Sequence, residues 1–122
     1  MSWLGSLGSE IARFRNTCKW SWQGFTAAWR SEKSLRQWTL VNVLSAALAF
    51  VLDLDAGERA LVLALGLIVL AAELANTAIE EIVDLVMPER DPRAAKAKDC
   101  GSAAVALSAL AGGVAWLVIL LG

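Results

Sequence analysis

Histidine is absent from this sequence of 122 residues, and cysteine, methionine and proline occur only twice each. Without histidine there is no Ser-His-Asp triad, no Cys-His pair and no histidine metal site. Cys18 and Cys100 lie far apart and match no C-x-x-C spacing, so they read as small apolar filler. Charge is also sparse. Lys, Arg, Asp and Glu make up 19% of the chain, the formal net charge is −1, and the basic residues form no long stripe. That composition disfavours a nucleic-acid binder. Any catalysis must come from carboxylates, lysine, arginine, asparagine or hydroxyls. Neither G-x-x-x-x-G-K-[ST] nor a protein-kinase Gly-rich loop occurs, so a nucleotide site here would have to be built on carboxylates.

What the chain has in quantity is apolar surface, at 57% hydrophobic residues. Soluble domains sit nearer one half apolar, and disordered chains are far poorer in apolar residues. The length fits one domain, residues 1–122, and the solvent expected for much of it is lipid. Three apolar stretches stand out: 39–54, then 60–87, which carries Glu73 within it, then 100–121, whose run from Ala103 to Leu121 is free of charge. A helix needs about 20 mainly apolar residues to cross a bilayer. The runs are continuous rather than alternating and rich in Ala and Leu, which predicts helices and not strands. Gly112 and Gly113 either admit a close helix neighbour or are simply tolerated small residues.

Residues 1–37 are of another kind. Trp3, Trp20, Trp22 and Trp29 are interspersed with Arg13, Arg15, Lys19, Arg30, Lys33 and Arg36, and Trp38 stands at the entry to the first span. That pattern predicts an amphipathic helix lying in the membrane interface. A cleaved signal peptide fits poorly, because arginines occupy the place of its apolar core. Six basic residues precede the first span, Arg59 alone follows it, and Arg90, Arg93, Lys96 and Lys98 lie between the second and third. The positive-inside rule then places the N-terminus and the 88–99 loop in the cytoplasm, with the 53–59 loop and the C-terminus outside. The expectation is an all-α membrane protein, with an interfacial helix and three transmembrane helices, N-in and C-out.

The sharpest feature is E73-L-A-N76-T77-A-I-E80-E81-I-V-D84. At about 100° per residue, positions 73, 76, 77, 80 and 84 share one helix face, with Glu73 and Glu80 about 10 Å apart along the axis. Glu81 is turned away, towards headgroups or a basic partner. Glu73 follows thirteen residues, Ala60 to Ala72, with no polar side chain. An ionisable group so placed is costly and reads as functional. For Glu81 and Asp84, at the mouth, a solvated helix end explains the charge as well. A carboxylate at the edge of a low-dielectric layer suits a general base for a lipid hydroxyl. A second one nearer water, with another from the N-terminal region, can hold Mg²⁺ through a nucleotide's phosphates. Phosphoryl transfer needs little beyond charge neutralisation, alignment and a base, and Lys98 supplies a cation.

Together with A97-K98-D99-C-G101-S102-A-A-V105 and W22-Q-G24-F-T-A-A28-W29-R-S-E32, this motif resembles the small integral-membrane prokaryotic diacylglycerol kinases over nearly the whole chain. The resemblance implies an ATP- and Mg²⁺-dependent lipid kinase, a homotrimer with shared active sites, in the bacterial cytoplasmic membrane and acting on its cytoplasmic side. It implies Glu73 as general base, Glu32 and Glu80 as metal ligands, and Asn76 as the residue orienting them. Arg13, Trp20, Glu89, Arg90, Asp91, Lys98 and Asp99 would contact the nucleotide with Glu32, Asn76 and Glu80. Arg13, Ser21, Trp22, Ala28, Trp29, Arg36, Gln37, Glu73 and Ser102 would border the diacylglycerol. Undecaprenol kinases share this fold and face, while L35-R36-Q37 and G101-S102-A-A-V105 favour the diacylglycerol branch. A small proton-coupled transporter and a structural membrane subunit are the readings from other classes. The transporter is set against acids clustered to one side of three helices, and the subunit leaves Glu73, Asn76, Glu80, Lys98 and Asp99 without a common purpose.

Overall fold

The computed structural model describes residues 2–122, and Met1, where the expected interfacial segment begins, lies outside them. Four helices follow in order: α1 (Ser2–Ser31), α2 (Lys33–Val51), α3 (Ala56–Val86) and α4 (Pro92–Leu121). No strand occurs among the described residues, as the continuous apolar runs predict. Helix α1 forms one unit and Glu32–Gly122 forms another.

Helix α1 runs for 30 residues, about 45 Å at 1.5 Å per residue. Trp3, Leu7, Ile11 and Phe14 recur at helical spacing and are all exposed. Its hydroxyls are satisfied within the helix: Thr17 Oγ1 donates to Arg13 O, Ser21 Oγ to Thr17 O and Thr26 Oγ1 to Trp22 O. The helix stops at Glu32, whose backbone is extended at φ −108° and ψ 106°. No proline or glycine marks the break. Helix α2 then starts at Lys33, so residues 33–38 open it, where the sequence reading carries the interfacial segment to Gln37.

The remaining joints have clear local causes. Asp55 caps α3 in a capping box: its side chain accepts from Glu58 N at 2.8 Å, and Glu58 Oε1 accepts from Asp55 N at 3.0 Å. Asp91 caps α4, with Pro92 at the first turn and Arg93 N donating to Asp91 Oδ1 at 2.8 Å. Between α2 and α3, Arg59 Nε donates to Ala49 O at 2.9 Å and Nη2 to Leu54 O at 3.2 Å, while the guanidinium lies over the Phe50 ring. One side chain thereby satisfies a carbonyl that the end of α2 leaves open and another in the loop that follows.

Helix α3 packs against both α2 and α4. The contacts are made by small residues: Ala49, Val62 and Ala115 form a buried cluster flanked by Leu65 and Trp116. Trp116 Nε1 donates to Ser45 Oγ at 2.8 Å, tying α4 to α2. Leu67, Ile68, Leu107, Leu110, Leu117 and Val118 point outward. In lipid such side chains gain nothing by meeting each other, so close packing and interhelical hydrogen bonds must hold the helices together. Helices α3 and α4 are long and apolar enough to cross a membrane; α2, at 19 residues, falls short in apolarity.

Candidate active site

Burial along α3 follows the polar face read from the sequence. Glu73 is buried at 5% exposure, Asn76, Thr77 and Glu80 are half-buried, and Glu81, Ile82 and Asp84 are exposed. Glu73 is the buried ionisable residue of the described chain. Its carboxylate is met from α2: Ser34 Oγ donates to Glu73 Oε2 at 3.0 Å, across 39 residues of sequence. Thr77 Oγ1 turns instead to the backbone, donating to Glu73 O at 3.0 Å. Ser34 is a residue the sequence reading misses, and a lone serine in K33-S34-L35 carries no signal that would have found it.

One turn further on, Asn76 Nδ2 makes a long hydrogen bond of 3.4 Å to Glu80 Oε1. The other end of this amide, Oδ1, is buried without a hydrogen-bond donor and abuts Gly101 of α4. A Cβ at position 101 would collide with that oxygen and would lie 3.3 Å from Asn76 Cγ. Glycine is therefore what lets α4 approach the Asn76–Glu80 pair. Beyond it, Lys98 Nζ pairs with Asp84 Oδ1 at 2.5 Å, within the electrostatic reach of Glu80. Asp84 thus has a definite partner, which its sequence position alone left open.

The connection between α3 and α4 encloses a cleft of about 530 Å³, lined among others by Asp84, Glu89, Arg90, Asp91 and Lys98. Four of the residues expected at a nucleotide share this cleft, while Asn76, Glu80 and Asp99 do not line it. Asp91 is partly committed to capping α4. On α2, Glu32 is the half-buried N-cap and Arg36 and Gln37 are exposed. Ser102 is exposed on α4. On α1, Arg13 pairs with Glu10 at 3.4 Å, Trp20 and Trp22 are exposed, Ala28 is buried, and Trp29 stacks on Phe25 with ring centroids 6.1 Å apart.

Among the described residues, no three His, Cys, Asp or Glu side chains gather into a metal cage. The donors present are hard oxygens, of which the Glu80 carboxylate is half-buried and already oriented by Asn76. That donor set fits Mg²⁺, which is typically held by one or two carboxylates together with substrate phosphates rather than by a protein cage.

Comparison with known proteins adds an independent line. A family model described as prokaryotic diacylglycerol kinase matches residues 19–120. A diacylglycerol kinase of Pseudomonas aeruginosa is 47% identical over 114 residues, covering 92% of this chain and 91% of that protein. A diacylglycerol kinase of Escherichia coli strain K12 is 36% identical over 110 residues, covering 90% of each. One from Synechocystis is 34% identical over 94 residues, covering 76% of this chain and 54% of that protein.

Proposed function

Since the chain belongs to the prokaryotic diacylglycerol kinase family, we propose that it transfers the γ-phosphoryl group of ATP to the primary hydroxyl of 1,2-diacylglycerol, giving phosphatidic acid and ADP. The observation that carries this reading is the buried Glu73 carboxylate, held by a neutral hydroxyl on a helix long and apolar enough to span a bilayer. Glu73 takes the proton of the lipid hydroxyl as its oxygen bonds to the γ-phosphorus and the bond to the β,γ-bridging oxygen breaks. Glu32 and Glu80 would hold Mg²⁺, which when bound neutralises phosphate charge. Asn76 keeps the Glu80 carboxylate in place. Lys98 and the cleft residues Glu89, Arg90 and Asp91 receive the nucleotide, with Arg13, Trp20 and Asp99. Ser21, Trp22, Ala28, Trp29, Arg36, Gln37 and Ser102 border the lipid.

The same reading makes the chain a multi-pass protein of the bacterial cytoplasmic membrane, N-in and C-out, working as a homotrimer. Support for α2 as the third span comes from Leu40, Val41, Val43, Leu44 and Phe50, all exposed, and from the lack of charge between Arg36 and Asp53. Three helices leave little room to enclose a lipid headgroup, a cation and a nucleotide, which favours sites shared between neighbouring chains.

Radiolabel transfer from ATP to diacylglycerol in mixed micelles tests the activity, with undecaprenol as the competing acceptor. Turnover of undecaprenol without diacylglycerol would overturn the substrate assignment. Glu73→Gln should lose nearly all lipid phosphorylation while keeping its oligomeric state. Substantial residual activity removes Glu73 from the role of base.

A further inference from the structure

The general base of a lipid kinase has two requirements that pull against each other. Its carboxylate must be held in one orientation, and it must stay basic. An ion pair with Lys or Arg meets the first and weakens the second, because a neighbouring cation favours the charged carboxylate over the protonated one. A neutral hydroxyl orients the carboxylate with less loss of basicity.

That is the arrangement around Glu73. Its side-chain partner is the Ser34 hydroxyl at 3.0 Å, while Lys98 is engaged by Asp84, about three turns further along α3. Ser34 sits in the first turn of α2 next to Leu35, which at 1% exposure is the largest fully buried side chain of the described chain. Leu35 therefore fixes the rotation of that turn, and with it the place of the hydroxyl. Thr77, the other nearby hydroxyl, is occupied by the backbone of its own helix and does not compete. Glu73 lies near the middle of the 31-residue α3, so its backbone position is secured and the freedom left is in its own torsions. A donor on Oε2 removes much of that freedom.

We infer that Ser34 is a positioning residue for the reaction: its hydroxyl holds Glu73 Oε2 and so presents Oε1 to the hydroxyl of the lipid acceptor. This rests on the assignment of Glu73 as base. The group that defines the geometry of proton transfer would then lie on α2, outside the three motifs that carry the family resemblance.

Three variants of the full chain, assayed in mixed micelles with diacylglycerol and ATP, decide the matter. Ser34→Ala removes the hydroxyl while leaving a good helix former, and should lower kcat by about tenfold to a hundredfold, the range for a hydrogen bond to a charged group. KM for both substrates should stay within about twofold, because the contact orients the base and binds neither substrate. Ser34→Thr restores a hydroxyl on the same carbon and should recover most of kcat. Glu73→Gln calibrates the assay. If it is inactive while Ser34→Ala keeps wild-type kcat, Ser34 has no such role and the base assignment stands. If Glu73→Gln is active, the base assignment itself fails and the Ser34 proposal with it. Equal losses in the Ala and Thr variants, or a loss confined to KM, would also overturn the proposal, since neither tracks the hydroxyl.

Discussion

At the scale of single residues, the site depends on distances that one atom can spoil. Gly101 faces Asn76 so closely that a methyl group there has no room, with Ile79 Cδ1 a further 3.4 Å neighbour. Gly101→Ala should therefore displace Asn76, release Glu80, and cost about 1–3 kcal/mol of stability as overpacking does. Phosphorylation activity should fall along with it. Gly112, with nothing near a Cβ on the same helix, supplies the control: its alanine variant should be neutral to about 1 kcal/mol more stable, as helix propensity dictates. Thermal unfolding in detergent together with the micelle assay separates the two. Equal behaviour of both variants would show that the Asn76 contact does not matter. Much of this face could be read beforehand, because Glu73, Asn76, Thr77 and Glu80 announce themselves by helical spacing in apolar surroundings. Ser34 could not, since only the docking of α2 on α3 brings it to Glu73.

At the scale of elements, what could be foreseen depended on whether a boundary has its own chemistry. D55-A-G-E58 and D91-P92 are start signals written in four residues or fewer, and α3 and α4 begin there. The break at Glu32 has no such signal, because arginine, serine, glutamate and lysine suit a helix surface on either side of it. Hence the change of character falls, in the sequence, at the first apolar run, several residues after the helix actually breaks. Arg59 is a third case. Charge counting treats it as the one basic residue of its loop, whereas the structure makes it the clasp between α2 and α3. Its two carbonyl contacts predict that Arg59→Ala lowers unfolding stability in micelles by about 1.5–3 kcal/mol. Arg59→Lys should recover only part, since an ammonium lacks the planar fork that reaches both carbonyls. Full recovery by lysine would mean that charge alone is at work.

At the scale of the whole molecule, the number of spans decides which side each end occupies. Three spans place the termini on opposite faces, and two place them together. With Cys18 and Cys100 replaced by serine, single cysteines at Ser2, Asp53, Lys96 and Gly122 can be probed in right-side-out vesicles with an impermeant maleimide. The expected pattern is labelling at 53 and 122, and at 2 and 96 only after lysis. Labelling at 2 together with 122 would indicate an even number of spans, and labelling at 96 in sealed vesicles would invert the orientation. The apolar side chains exposed along α2, α3 and α4 suit either lipid or a neighbouring chain, so one protomer's sequence could not have fixed the assembly. Light scattering of the detergent complex reads that number directly.

The asparagine–glycine contact occurs twice. Asn42 of α2 lies against Gly66 of α3 as Asn76 of α3 lies against Gly101 of α4. Side-chain packing between leucines and valines is forgiving, because each can change rotamer when its surroundings change. An amide resting on bare backbone has no comparable slack. Helix spacing in this molecule is thus gauged by two amides, one of them at the level of Glu80. Lipids of different length or saturation can rearrange around the outer leucines without altering that gauge, so the separation of α3 and α4 at Glu80 should be insensitive to the bilayer and highly sensitive to a single carbon atom at position 101.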